Sequence, residues 1–541
     1  MVLLLVLGAV ARIWYFIADC PFDLTADEAY YWQWSRRLDL SYADTNGPLT
    51  AYIIAGSRAL LADWSVRLKG SEVLAVRLPA VALCVLTGVG IYVLAAGVLR
   101  RPAMALAAVA ITFTIPILVT GAALMTIDAP LACAWTWALV SVRRALERDT
   151  LAAWLVTGLL IAVGILAKYN MVLLFPVVGV LLLVEPRLRR LLLRPGPYLA
   201  TVVGLCGLLP ILIWNAGHDW VSFRQVTKQA GIASGFAIDV DGPLVYLAGQ
   251  AMVVGPIWFV GMVWAAIELC RRPTMGADEP YEPWAIRLLV LATAVPWLVF
   301  LAFSLITKTQ PNWPALALIG GTILLAAWLA RHGRLPAHRR RVRIFAAAGA
   351  LLGAGAVIFV HRTDWLMPVF TWLARGSPPL RLTQAAAPWD LTPVAKYDPT
   401  VRMRGWRELG TAVGGVLQEE RAAGRQPFIL AEDYQLASEV AFYCPGEPVV
   451  YAVQSALGKR PTQYDIWPNP IRDPAAFVGR PCLYVGSLHP ELTGGTNGEA
   501  AALPGLRPVR TIEYRIRGEV VQLWTIFACD AFAGFRAPAD R

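Results

Sequence analysis

Long apolar runs fill the first two thirds of the chain, separated by short polar loops, and they stop near residue 362. Most runs are roughly 17–22 residues long, enough as helices to cross a ~30 Å hydrocarbon core, while those at 129–143 and 171–185 are short. They predict eleven spans, near 1–18, 79–99, 103–120, 129–143, 151–167, 171–185, 197–215, 244–270, 285–306, 313–330 and 344–361. From Thr363 onward the apolar runs shrink to strand length, and Pro, Gly and charge return. The pattern there predicts helices at Trp406–Ala423 and Tyr434–Tyr443. Strands are expected near 428–430, 449–453 and 483–485, with a closing antiparallel pair, 511–517 and 520–528, turning at Gly518. Two domains are therefore expected: a membrane domain over 1–362, with a long loop at 19–78, and an α/β domain over 363–541.

Composition agrees with the bilayer. The 541 residues are 57% hydrophobic and only 16% charged, against about 25% in a soluble globular protein. Mean hydropathy is +0.54. The net charge of +11 suggests no nucleic-acid partner, because the basic residues sit in short loops between spans and so report topology. One set of loops holds Arg100-Arg101, Arg143-Arg144-Arg148, Arg187-Arg189-Arg190-Arg194, Arg271-Arg272 and the run from Arg331 to Arg343. The short loops of the other set offer only Lys168, Arg224, Lys228 and Lys308. The Arg-rich set is expected in the cytoplasm, with the N-terminus inside and the tail from Thr363 outside. Met1–Ala18 lacks a basic n-region and a small-x-small cleavage site and carries Arg12 within its apolar run, so an uncleaved span is the better reading than a signal peptide.

The loop at 19–78 is amphipathic, with Tyr30, Tyr31, Trp32 and Trp34 close together, as in helices lying at a membrane interface. It places Asp27 and Glu28 directly after the first span. Alone, that pair reads as a helix start, with Thr25 or Asp27 as cap and the acids at the positive end of the dipole. The other loops on the same expected face change the balance. They present Thr126-Ile127-Asp128-Ala129-Pro130, Lys168-Tyr169-Asn170, His218-Asp219-Trp220 with Arg224, and Thr307-Lys308-Thr309-Gln310-Pro311-Asn312-Trp313. Each of these is explicable as an interfacial anchor; together, acids and bases on one face suggest a polar cavity. Transfer from a phosphate-bearing donor needs such a set: a carboxylate to deprotonate an acceptor hydroxyl and cations to stabilise the departing phosphate.

The stretch DEAYYWQWSRRLDLSYADTNGPLTAYII resembles the first outer loop of glycosyltransferase family 39. TIDAPLA at 126–132, GILAKYNMVLLFP at 164–176, WNAGHDWVSFR at 214–224, TQPNWPA at 309–315, RGWRELG at 404–410, AEDYQLASEVAFYCPG and QYDIW follow in order. That family includes protein O-mannosyltransferases, the lipid A aminoarabinose transferase and transferases of lipopolysaccharide core, and the resemblance is closest to bacterial members. It implies a polytopic α-helical membrane protein of GT-C type with an extracytoplasmic C-terminal α/β domain in the bacterial inner membrane. It also implies transfer of one sugar from a polyprenyl-phosphate donor, with inversion at the anomeric carbon, to lipid A, core or another lipid or glycan acceptor. Carried over, Asp27 matches the acid expected as base or acceptor-positioning group, Glu28 its supporting neighbour, and Asp128 a second acid. Lys168, His218, Arg224 and Lys308 are candidates for the donor phosphate, and Tyr30, Tyr169, Asn312 and Trp313 for substrate contacts.

One departure stands out: Thr45-Asn46-Gly47-Pro48 replaces a Lys-Pro-Pro type turn common in relatives, so the phosphate would need another cation. Metal dependence varies in the family and no His/Cys/Asp cluster here has metal-ligand spacing, which leaves a divalent metal open. Of the eight cysteines, Cys444, Cys482 and Cys529 fall in the tail, where an outside location permits a disulfide but three thiols cannot all pair. The competing functions are a flippase or transporter of lipid-linked sugars, a non-catalytic scaffold, and a protein-hydroxyl acceptor in place of a lipid. The absence of internal repeats and the placement of polar residues at span ends favour the enzyme.

Overall fold

Every predicted apolar run is helical over most of its length in the computed structural model, which describes residues 1–44, 46–229, 238–272, 281–375, 392–494 and 501–535. Among them, five helices are long and apolar enough to span a membrane: Val2–Asp19, Val73–Leu99, Pro195–Ala216, Pro283–Phe303 and Pro336–His361. The run expected as one span at 244–270 is instead two helices, Gly242–Val254 and Pro256–Arg271, bent by 108°. The cause is local: Gly255 takes φ +91° and Pro256 offers no N–H to continue the helix. Four further apolar helices are shorter, at Pro102–Thr112, Leu151–Ala167, Tyr169–Val184 and Ala317–Gly333. The run at 103–120 breaks between Thr112 and Pro116, where proline again restarts the helix. Asp128–Arg148 is helical along its whole length but ends in Arg143, Arg144 and Arg148.

The chain divides into two compact units. The first comprises Met1–Asp19, Leu38–Leu61 and Leu74–Phe359, and the second Cys20–Arg37, Ala62–Val73 and Val360–Arg541. Within the first, helices pack through small residues, as apolar surroundings require. A Cβ on Gly158 would lie 2.8 Å from the Ala200 carbonyl oxygen, so Leu151–Ala167 and Pro195–Leu205 pack backbone to backbone. Trp135 and Trp154 are fully buried, and Ser141 and Thr157 share a hydrogen bond of 2.8 Å. The Arg-rich loops converge. Glu282 lies 3.8 Å from Arg100 and 3.7 Å from Arg187, Glu185 pairs with Arg287, and Arg331 donates to the Arg272 carbonyl at 2.9 Å. Loops that the basic-residue rule places on one side thus meet one another.

The second unit holds a five-stranded sheet: β1 Phe428–Ala431, β2 Val450–Ala452, β3 Cys482–Val485, β4 Arg507–Ile516 and β5 Glu519–Cys529. The order is β2-β1-β3-β5-β4, with β1 parallel to β2 and β3, and β5 antiparallel to β3 and β4. Strands β1 and β3 are buried along their whole length, as expected where a sheet is covered on both faces. The predicted hairpin turns on Arg517 (φ +51°) and Gly518 (φ +91°), two left-handed residues that match the twist of the strands. Helices Trp406–Ala422 and Tyr434–Tyr443 form where the apolar periodicity placed them.

Candidate functional site

Asp128 begins the helix Asp128–Arg148, where the positive end of the dipole favours a carboxylate. Lys168 follows the last residue of Leu151–Ala167 in extended conformation. Its Nζ lies 2.7 Å from Asp128 Oδ1, and Asn312 Nδ2 donates to Asp128 Oδ2 at 2.7 Å. Three loops are therefore tied by one carboxylate. Lys168 is only 7% exposed, and removing one partner of such a buried pair typically costs about 3–5 kcal/mol. Asp128 thus holds Lys168 with one oxygen and Asn312 with the other.

The backbone secures the same corner. Asn46 forms an isolated antiparallel bridge with Lys168, and a Cβ on Gly47 would stand 2.1 Å from the Leu166 carbonyl oxygen. Only glycine permits that approach, which explains Gly47 in this turn; Thr45 lies outside the described residues. Asn170 donates to the Trp313 carbonyl at 3.1 Å and Gln250 to the Pro311 carbonyl at 2.9 Å, which fixes the loop carrying Asn312.

Asp128, Asn312 and Trp313 line a cavity of 280 Å³ whose walls are otherwise mainly apolar, including Leu5, Ile91, Phe113, Leu118 and Leu316. Arg12 also lines it, its guanidinium 5.2 Å from the Phe113 ring centre and donating to the Gly8 carbonyl at 3.2 Å. The Trp313 ring packs on Phe300 at 5.6 Å. Sequence reasoning used Arg12 only to argue against a signal peptide. A cation inside an apolar run was itself the signal for a place on a cavity wall.

None of the four cations expected at a donor phosphate lines the cavity; the structure ties Lys168 to it through Asp128, and brings none of His218, Arg224 and Lys308 to its wall. His218 stacks on Trp214 at 4.0 Å and 8°, with Nδ1 2.7 Å from the Trp214 carbonyl oxygen, while Trp214 Nε1 donates to Asp39 at 2.9 Å. The next two residues, Asp219 and Trp220, are both left-handed (φ +52° and +56°), which costs about 1–3 kcal/mol each. Arg224 and Lys308 are exposed. Tyr169 stacks on Phe223 at 6.3 Å and 16°.

Asp27, Glu28 and Tyr30 belong to the second unit, in the helix Ala26–Ser35. Thr25 is its cap. The Thr25 hydroxyl accepts from Glu28 N at 3.2 Å, and Glu28 Oε2 accepts from Thr25 N at 3.0 Å, closing a capping box. Glu28 is fully buried and serves the helix, so the structure gives it a structural post in place of the supporting role beside Asp27. Tyr30 is 2% exposed, packs on Tyr434 and Tyr464 at 4.8 and 5.9 Å, and its hydroxyl accepts from Gln463 N at 2.7 Å. Those contacts account for Tyr30 as core in place of a substrate contact. Asp27 is exposed, with the Tyr434 hydroxyl 3.5 Å from Oδ1.

A second acid cluster in this unit sits at the carboxyl ends of β1 and β3. Glu432 meets Lys459 at 2.6 Å, His489 at 3.1 Å and the Ser487 amide at 2.9 Å. Burial opposes its charge, but these donors prevail and hold its carboxyl below the usual range. Among the described residues, no group of three or more His, Cys, Asp or Glu is arranged to hold a metal ion.

Residues 46–214 match the family model of dolichyl-phosphate-mannose-protein mannosyltransferases, a stretch that includes Asn46, Asp128 and Lys168. The lipid A galacturonosyltransferase RgtD of Rhizobium johnstonii is 29% identical over 347 residues, covering 63% of this chain and 67% of that protein. The crystal structure of ArnT from Cupriavidus metallidurans bound to undecaprenyl phosphate superposes with a TM-score of 0.58 at 15% identity, covering 97% of each chain. Its apo form gives the same TM-score at 16% identity. A likeness at this identity shows the fold, and this chain has the multi-span helical fold of ArnT. The fold expected from the apolar pattern, a multi-span helical domain with a small C-terminal sheet, is the GT-C arrangement. The Asp128 cluster and the cavity it lines belong wholly to the first unit.

Proposed function

We propose that this chain is a glycosyltransferase that moves a single sugar from a polyprenyl-phosphate carrier to a lipid or glycan acceptor on the non-cytoplasmic face of a bacterial inner membrane, with lipid A as the acceptor class. One observation carries the reading: a buried lysine, locked by Asp128, whose carboxylate and its other partner Asn312 line an apolar cavity in the membrane unit. An isoprenoid chain suits the apolar walls, and Lys168 supplies the positive charge that a leaving phosphate needs. RgtD acts on lipid A and ArnT was crystallised with undecaprenyl phosphate, which supports both ends of this assignment.

The reaction balances without an external co-reactant. The acceptor oxygen attacks the anomeric carbon, the bond from that carbon to the phosphate oxygen breaks, and the acceptor proton passes to a carboxylate. A single displacement of this kind inverts the anomeric centre. The phosphate leaves as an anion, so it needs a cation such as Lys168 and no acid. Asp27, exposed at the start of its helix, is our candidate for the base. Sidedness follows from the Arg-rich loops, which the positive-inside rule assigns to the cytoplasm, with the tail opposite.

The broken pair Gly242–Val254 and Pro256–Arg271 is a feature that transporters also use. Here Gln250, near the break, is spent on the Pro311 carbonyl, so the break positions the Asn312 loop and adds no case for a carrier. The test is mass spectrometry of envelope glycolipids from cells with and without the chain. Loss of one defined sugar from lipid A or core supports the proposal. An unchanged glycolipid profile, with the protein present in the membrane, overturns it.

A further inference from the structure

Cys482 opens β3 and Cys529 closes β5, and the antiparallel register sets them directly opposite each other. Opposite positions on antiparallel strands are about 4.5–5.5 Å apart at Cα and point their side chains to one face. A disulfide needs roughly 4.4–6.8 Å, so no backbone movement stands in the way. Both thiols are buried, at 1% and 2% exposure, in a core with Phe428, Phe477, Tyr484 and Phe532. Cys529 Sγ lies 3.3 Å from the Pro504 carbonyl oxygen and 3.4 Å from that of Ala531, and a single thiol proton cannot serve both. Cys444, the tail's third described cysteine, is in neither strand; its Sγ lies 3.9 Å from the Pro445 carbonyl oxygen. The register therefore selects one pairing where the sequence left three.

We infer that Cys482 and Cys529 form a structural disulfide that clamps the β4–β5 hairpin to the parallel half of the sheet. This rests on the proposed non-cytoplasmic location of the tail, where thiols are oxidised and kept so. Oxidation takes place on the folding chain, before β5 closes over the sulfurs. The Cys529 thiolate attacks the disulfide of a dithiol oxidase and displaces one oxidase thiolate. The Cys482 sulfur, giving up its proton, then attacks the mixed disulfide and displaces the other. Two cysteine thiols become one disulfide, and one oxidase disulfide becomes a dithiol. Once enclosed, the bond resists reductants until the sheet opens.

The experiment uses full-length protein in cells. Thiols are trapped with N-ethylmaleimide during acid-quenched denaturation, and peptides are mapped by mass spectrometry without reduction. The expected result is a cross-linked pair of peptides containing Cys482 and Cys529, with Cys444 alkylated as the internal control. A parallel strain carries Glu419→Cys, an exposed position, in a Cys482→Ala/Cys529→Ala background. Its labelling by a membrane-impermeant maleimide in spheroplasts is compared with the same background lacking Glu419→Cys. A labelled reporter with Cys482 and Cys529 both alkylated overturns the disulfide and leaves the sidedness intact. An unlabelled reporter overturns the sidedness and the disulfide with it.

Discussion

Two acidic stretches with near-identical sequence credentials end in opposite roles. Asp128 in the membrane unit opens a helix, and so do Asp27 and Glu28 in the second unit. Asp128 spends its oxygens on Lys168 and Asn312 from two distant loops and lines a cavity. Glu28 turns Oε2 to Thr25, three residues away, and is sealed from solvent. An acid at a helix start is a cap when its partners are local and a site organiser when they are remote. Sequence shows the acid but not the distance to its partner.

The comparison is broken most severely if the exposed and buried acids of the second unit behave alike. Asp27→Asn should cut transfer by about 10²–10⁴-fold, the usual worth of a positioned base, while Glu28→Gln, which preserves the capping box, leaves turnover at the wild-type level. Radiolabelled sugar transfer in membranes reads both; a dead Glu28→Gln enzyme that is still folded would return Glu28 to the chemistry. Next in size, Lys168→Ala should lower turnover by about 10²–10³-fold, the loss seen when one charge-stabilising donor is removed. Full activity in that variant would separate the Asp128 cluster from catalysis.

A smaller effect belongs to Asp23. Its carboxylate accepts from the Trp406 amide at 2.9 Å, and burial, aided by Glu408, lifts its pKa from 3.8 to about 6. The folded unit therefore prefers the protonated form of Asp23, so the contribution of this group to stability is fully present below about pH 4 and is lost as pH rises to about 6. A shift of roughly two units corresponds to about 3 kcal/mol. Thermal melts across that window should show the slope, and Asp23→Asn should flatten it. Smallest is the cap: Thr25→Ala should cost about 1 kcal/mol, a few degrees in Tm, with kcat unchanged. A fall in kcat without a fall in Tm would mean that the helix start does more than hold itself.

How far each region was legible follows from the same contrast. The apolar runs, the strand lengths of the tail and the Arg517-Gly518 turn are local properties, and the fold follows them closely. The bend at Gly255-Pro256 was also local, yet a hydropathy window averages over it, because both halves are apolar. Asp128 and Lys168 were visible as polar residues at span ends, but their ion pair joins residues forty positions apart. Arg12, Asn46 and Gly47 were in plain view without a marked role: their significance is a close approach to Phe113, Lys168 and Leu166 that only the folded chain creates. His218, Arg224 and Lys308 show the reverse. A basic residue on the expected face satisfied the pattern, while its side chain stacks on Trp214 or faces outward.

The central claim is that Lys168, held by Asp128, binds the donor phosphate. Its most direct test is equilibrium binding of a polyprenyl phosphate without sugar to the purified full-length protein, wild type against Lys168→Ala and Lys168→Arg. Loss of a charge-assisted contact worth about 1.5–3 kcal/mol should weaken binding by Lys168→Ala roughly 10–100-fold, with Lys168→Arg between the two. Equal affinity in all three proteins would contradict the account.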